Sequence, residues 1–143
     1  MQEHEGNPIH CILIDDDQDD IEIFKLAIAQ TGLKIKFQSA RDGVRGLELL
    51  NSLTSSPDFI FLDLNMPNLD GKQTLVEIRK QKKFTDTPVI IYSTSSYIND
   101  IRETSRLGAT GFVTKPNNID SLVEILTSIF NNTYAFKTSA YYK

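Results

Sequence analysis

Short apolar runs and longer amphipathic stretches alternate along this chain. Ile9 to Ile14, Ile35 to Gln38, Phe59 to Leu62, Val89 to Tyr92 and Phe112 to Val113 are rich in Ile, Val and Phe, and several are nearly continuous in apolar character. That is the pattern of strands covered on both faces. Between them apolar residues recur at helical spacing: Ile21, Phe24 and Ile28, then Val44, Leu47 and Leu50, then Leu75 and Ile78. Ile98, Ile101 and Leu107, and finally Leu122, Ile125 and Ile129, continue the series. Helix limits are marked as well. Asp19 or Asp20 can accept from free amides at the start of the first helix, Gly32 stands where that helix stops, and Gly108 closes the fourth in the same way. Strand followed by helix, repeated five times, predicts a parallel sheet with helices on both faces, since crossovers in parallel sheets are nearly always right-handed. The expected class is α/β in three layers.

The 143 residues suit one domain with one core. Residues 9–130 are expected to form it, after a short N-terminal extension of residues 1–8. Residues 131–143 show no clear period and are expected to be a C-terminal tail. The alternative is that Tyr134, Phe136, Tyr141 and Tyr142 pack on the body or on a partner. Apolar residues make up 40% and charged residues 24%, a balance that folds rather than stays disordered. A formal charge of -4 and a pI near 5.1 argue against a nucleic-acid or anionic-membrane surface. Cys11 is the single cysteine and lies inside an apolar run, which fits a small buried hydrophobe better than a reactive thiol. No leader pattern precedes it, and no apolar stretch approaches the ~20 residues of a membrane span, so a cytoplasmic protein is expected.

In an open parallel sheet, ligands sit at the carboxyl ends of the strands near the point where the strand order reverses. The first strand ends in Asp15 and Asp16, the third in Asp63, the fourth in Ser93 and Thr94, and the fifth in Thr114, Lys115 and Pro116. Taken alone, the acidic run from Asp15 to Asp20 reads as a solvated helix start, and Asp17, Asp19 and Asp20 keep that reading. Asp15 and Asp16 are expected to share a crevice with Asp63. Three carboxylates at close quarters either take up protons or recruit a cation, and oxygen-only ligands with few carboxylates suit magnesium. Lys115 adds a compact positive charge, and Ser93 or Thr94 a hydroxyl. Around one aspartate, these groups can neutralise and hydrogen-bond a phosphoryl group, with Asp63 as nucleophile.

Four separated motifs then resemble the receiver domain of two-component response regulators: "ILIDD" (12–16), "FLDLNMPNLDG" (61–71), "VIIYSTS" (89–95) and "GFVTKP" (111–116). The resemblance spans roughly residues 9–130. It implies a CheY-like, flavodoxin-like fold: a doubly wound five-stranded parallel sheet in order 2-1-3-4-5, for which a member of this family serves as a standard illustration. It also implies that Asp63 is the phosphoacceptor, that Asp15 and Asp16 hold Mg2+ together with Asp63 and the Asn65 carbonyl, and that Lys115 is the family's characteristic lysine. Ser93 and Phe112 would be the switch residues. Lys115-Pro116 is often cis in such domains, and an aromatic usually follows that pair, where this chain has Asn117 and Asn118.

The resemblance further implies a stand-alone response regulator that takes a phosphoryl group from the phosphohistidine of a histidine kinase or phosphotransfer protein. It would catalyse only its own phosphorylation and dephosphorylation. Output is expected in trans, to a downstream protein, through the face of the fourth helix, fifth strand and fifth helix. A monomer or weak dimer is expected, with no nucleic acid and no membrane bound. Haloacid-dehalogenase-like phosphatases also use a strand-end Asp with magnesium, but their motif wants a second acid two residues on, where Asn65 stands. A flavodoxin-like nucleotide or flavin module needs a glycine loop to cradle phosphate, and here acids follow the first strand. A phosphorylation-independent scaffold ranks below both the site and the resemblance, because all the site residues are present.

Overall fold

Backbone pairing among five short apolar segments organises the chain. The computed structural model describes residues 6–136. In order these form β1 (Ile9–Ile14), α1 (Gln18–Gln30), β2 (Ile35–Ala40), α2 (Gly43–Ser52), β3 (Phe59–Leu62) and α3 (Gly71–Arg79). A 3-10 turn at Lys82–Phe84 follows, then β4 (Val89–Ser93), α4 (Ile98–Arg106), β5 (Gly111–Thr114) and α5 (Ile119–Phe130). All strand pairs are parallel, in the order β2-β1-β3-β4-β5. The chain is thus the doubly wound α/β sandwich expected from the alternating pattern.

Alternation along each strand divides the interior in two. Cys11 and Leu13, Phe59 and Phe61, Ile90 and Tyr92, and Val113 meet α1 and α5, whose Phe24, Ala27, Leu122 and Leu126 are fully or almost fully buried. Ile12 and Ile14, Ile60 and Leu62, Val89 and Ile91, and Phe112 face the other way, against Leu50 of α2, Leu75 and Ile78 of α3, and Ile101 of α4. Phe24 lies at the centre of an aromatic cluster, with ring centroids 5.1 Å from Phe61, 5.3 Å from Tyr92 and 5.6 Å from Phe37. Cys11 is fully buried, and burial pushes its thiol well above the usual range, so it packs as a hydrophobe.

The structure shifts several predicted boundaries. β2 runs on to Ala40, because Ser39 and Ala40 pair with Leu13 and Ile14, and β5 gains Gly111 and Thr114 by pairing with Ile90 and Ser93. Local composition underrated both ends; the neighbouring strand decides them. β2 is an edge strand and only partly buried, unlike the continuous cover expected of it. The helix-stop glycines fall where expected, with φ of +73° at Gly32 and +109° at Gly108. The cap of α1 does not. Asp17, rather than Asp19 or Asp20, accepts the first free amides, those of Asp19 and Asp20.

The segment after α5 also differs from a plain tail. Tyr134 and Phe136 pack against the α1–α5 side of the core, their rings 5.2 Å apart in an edge contact. Phe136 lies over Gly111, where a Cβ would come within 2.3 Å of its ring. Tyr141 and Tyr142 lie outside the described residues. Among the described residues no helix is long and apolar enough to cross a membrane.

Gly111→Ala is therefore expected to destabilise the domain by about 1–3 kcal/mol in urea unfolding. Most of that loss should vanish in a Phe136→Ala background; an undiminished loss there would show that the ring contact is not what residue 111 accommodates.

Candidate functional site

The register of β1 on β3 pairs Ile14 with Leu62, so the residues that follow, Asp15 and Asp63, emerge side by side at the carboxyl end of the sheet. Main-chain bonds carry the alignment past the strand ends: Asp63 N–H donates to Ile14 O at 2.9 Å and Asp15 N–H to Ala40 O at 3.0 Å. The loop after Asp63 is pinned from below. Gly71 N–H donates to Leu64 O at 3.0 Å, and a Cβ on Gly71 would sit 2.2 Å from Asp63 O, so this approach requires glycine.

Asp15, Asp16 and Asp63 each offer a carboxylate oxygen, and these oxygens all lie within 4.8 Å of one another. Asp15 is fully buried, Asp63 is buried, and Asp16 is half-buried. Leu64 N–H orients the Asp63 carboxylate by donating to Oδ1 at 2.9 Å, and Asp17 N–H donates to Asp15 Oδ1 at 3.0 Å. Lys115 arrives from the end of β5, held there by its own N–H, which donates to Ser93 O at 2.7 Å. Its ammonium lies 2.8 Å from Asp15 Oδ2, 2.6 Å from Asp20 Oδ2 and 3.9 Å from Asp63 Oδ1.

One positive charge does not balance this acid cluster. Burial, then the neighbouring Asp15 charge, pushes the Asp63 carboxyl up to about 7, with Lys115 only partly opposing. Burial raises Asp15 too. For Lys115, burial works against the charge, but the close contacts with Asp15 and Asp20 outweigh it and hold the ammonium above the ordinary lysine range. Among the described residues Asp15 Oδ2 keeps its close charge contact with Lys115 yet receives no aligned hydrogen bond. A crowded all-oxygen donor set with an unsatisfied buried oxygen fits a hard divalent cation.

Other expected residues are distributed around this centre. Ser93 is fully buried at the end of β4, while Thr94 is exposed. Asn65 stands exposed on the loop after β3. Phe112 is only 1% exposed and packs under α4. Just about 10 Å³ of cavity adjoins it, between Ile101, Thr104 and Ala109. Its ring is buried in this conformation. Lys115-Pro116 is trans, since no cis peptide occurs among the described residues. Asn118 caps α5 by accepting from Ser121 N–H at 2.8 Å, which accounts for a polar residue at that position.

Sequence reasoning missed three participants. Asp20 reads from sequence as a solvated helix-start acid, but it pairs with Lys115; its first-turn position directly above an acidic strand end is the signal. Tyr92 lies beneath the lysine, with Nζ 5.4 Å from its ring centroid. The third is a polar chain leading away from Ser93. Ser95 N–H donates to Ser93 Oγ at 3.3 Å, Ser95 Oγ to Asp100 Oδ2 at 2.9 Å, and Lys72 Nζ to Asp100 Oδ1 at 2.8 Å and Glu103 Oε1 at 2.7 Å. It joins the site to the first turn of α4 and to α3.

Comparison with known proteins decides the family. The model of the response regulator receiver domain matches residues 11–127. The chain belongs to that family. It is 30% identical over 115 residues to the sensor histidine kinase CheAY of Helicobacter pylori, covering 80% of this chain and 14% of that protein. The crystal structure of the phosphorylated cyanobacterial phytochrome response regulator RcpA superposes with a TM-score of 0.79 at 27% identity, covering 92% of this chain and 99% of RcpA. The manganese-bound response regulator Rcp1 shares the fold with a TM-score of 0.77 at 23% identity, covering 92% and 100%. The chain spans 14 to 49% of the length of the first curated relatives it matches. This receiver domain is thus a module of two-component signalling. Receivers are phosphoacceptor modules rather than conventional enzymes; they bind Mg2+ and interact with histidine kinases or phosphotransfer proteins.

The raised Asp63 has a thermodynamic consequence. Its ordinary value is near 3.9 in an unfolded chain, against about 7 in the fold. Between those values the folded protein keeps a proton that the unfolded chain has released. This group therefore favours folding most below pH ~4, and its contribution drains away as pH rises through ~7. In EDTA, Asp63→Asn should be about 2–4 kcal/mol more stable than wild type above pH 8, with the gap closing by pH ~4. Urea unfolding at both pH values checks this; equal stability at pH 8 would contradict it.

Proposed function

We propose that this receiver accepts a phosphoryl group on Asp63 from the phosphohistidine of a histidine kinase or phosphotransfer protein, and that the modification changes its partner-binding face. The observation that carries this reading is the buried Asp63 carboxylate between Asp15, Asp16 and Lys115 at the strand ends.

Leu64 N–H fixes one oxygen of Asp63 and leaves the other to attack. A new oxygen–phosphorus bond forms as the phosphorus–nitrogen bond breaks, and the electron pair of the broken bond returns to the imidazole nitrogen. Lys115 supplies positive charge against the phosphoryl oxygens, and the Ser93 hydroxyl donates to one of them. Asp15, Asp16 and Asp63, with the Asn65 carbonyl, are the residues that would hold Mg2+, which supplies divalent charge for the same oxygens. The phosphorylated state of RcpA and the manganese-bound state of Rcp1 belong to those proteins and support the assignment by analogy.

Transmission then follows the polar chain. When Ser93 turns to the phosphoryl group, the Ser95 N–H loses its acceptor, and the Ser95–Asp100 bond with the Lys72 ion pairs ties that movement to the start of α4. The face of α4, β5 and α5 changes with it, and a downstream protein reads the difference. Because Phe112 is already buried, this route through Ser95 bears the switching role more directly than a rotation of that ring.

With acetyl phosphate and magnesium, intact-protein mass should rise by one phosphoryl group on wild type, and not on Asp63→Asn or in EDTA. Lys115→Ala should slow charging by roughly 10²-fold, as loss of a charge-stabilising group does elsewhere. Persistent labelling of Asp63→Asn would refute the phosphoacceptor assignment.

A further inference from the structure

The lysine that must serve Asp63 is committed elsewhere in this structure. Lys115 Nζ is 2.6 Å from Asp20 and 2.8 Å from Asp15, but 3.9 Å from Asp63. The Tyr92 ring lies 5.4 Å below it. Asp20 is therefore the shortest contact the ammonium makes among these acids. It comes from the first turn of α1, with the backbone there fixed by Asp17, whose carboxylate accepts both the Asp19 and Asp20 amides. The carboxylate of Asp20 is thus positioned by the helix start and is free to act on the lysine.

We propose that Asp20 is a positioning residue that holds Lys115 back from Asp63 and thereby sets the rate at which the site is charged; the proposal rests on Asp63 being the phosphoacceptor. For Nζ to close on a phosphoryl group at Asp63, one of its two short contacts must lengthen. The Asp15 carboxylate is completely buried, whereas 28% of the Asp20 side chain is exposed. Water can replace the lysine at Asp20 but not at Asp15, so the Asp20 contact is the one that yields. A tether that has to break before the transition state raises the barrier, because it stabilises the resting arrangement and not the reacting one. Asp20 acts only through Lys115.

The test uses acetyl phosphate with magnesium as the donor. Asp63 oxygen bonds to phosphorus as the phosphorus–oxygen bond to the acetyl group breaks, and acetate leaves as the anion. Asp20→Ala should charge about tenfold faster than wild type, equivalent to ~1.4 kcal/mol, and should bind beryllofluoride, a phosphoryl mimic, about tenfold more tightly by calorimetry. Asp20→Asn keeps the size and helix-start polarity, and should move both readouts in the same direction even if the alanine variant folds poorly. Asp19→Asn removes an equal charge from the same turn, and should stay within about twofold of wild type. The decisive arm is the Lys115→Ala background, in which removing Asp20 should change nothing. If wild type charges on residue 63 but the Asp20 variants are no faster, or if their gain persists without Lys115, the tether is wrong and the phosphoacceptor reading stands. Labelling that survives Asp63→Asn would instead bring down that reading, and this one with it.

Discussion

The structure depends on two carboxylates that the sheet forces together. Once Ile14 pairs with Leu62, Asp15 and Asp63 have to leave adjacent strands at the same level, in a crevice with little water. Charge repulsion in that setting is far stronger than at an open surface. The fold answers it with one lysine, and that lysine divides itself among three acids. The remaining surplus of negative charge is of the kind a hard divalent cation would offset. The same imbalance explains why the loop after β3 must be rigid: Gly71 packed on the Asp63 carbonyl and Leu64 N–H on its carboxylate leave the acid little freedom to swing away.

The doubly wound sheet was legible because its strands are short apolar runs separated by helical periods, and because parallel crossovers have a preferred hand. The site was legible for a related reason: a strand end is a fixed place, so Asp15, Asp63, Ser93 and Lys115 could be brought together without knowing any loop. What escaped detection depends on direction rather than position. Asp17, Asp19 and Asp20 are equivalent as text, and only the helix geometry makes one a cap and another a partner of Lys115. Asp100 and Lys72 belong to different helices, and nothing in the linear order announces their pairing. Tyr134 and Phe136 lack periodicity because they are single anchors packed on the core, Phe136 above Gly111.

The two sides of the sheet have different duties. Around Phe24 and the α1–α5 helices, rings interlock edge to face, an arrangement with little slack. On the other side, α4 is tethered at its first turn by polar contacts of Ser95, Asp100 and Lys72, which exchange more readily than buried packing. The first turn of α4 is therefore held by contacts that can be exchanged for water, while the opposite layer is held by buried packing.

Phe136 sits on Gly111 at the beginning of β5, and Phe59, Pro88 and Ile129 line the same hollow. Gly111, Phe59 and Pro88 lie at the amino ends of the strands, so Phe136 is seated at the pole opposite the acids. At ~3.3 Å per residue, a strand of four or five positions keeps this hollow roughly 15 Å from the carboxylates. Repacking around Phe136 therefore loads the stability of the sheet without touching the geometry of Asp15 and Asp63.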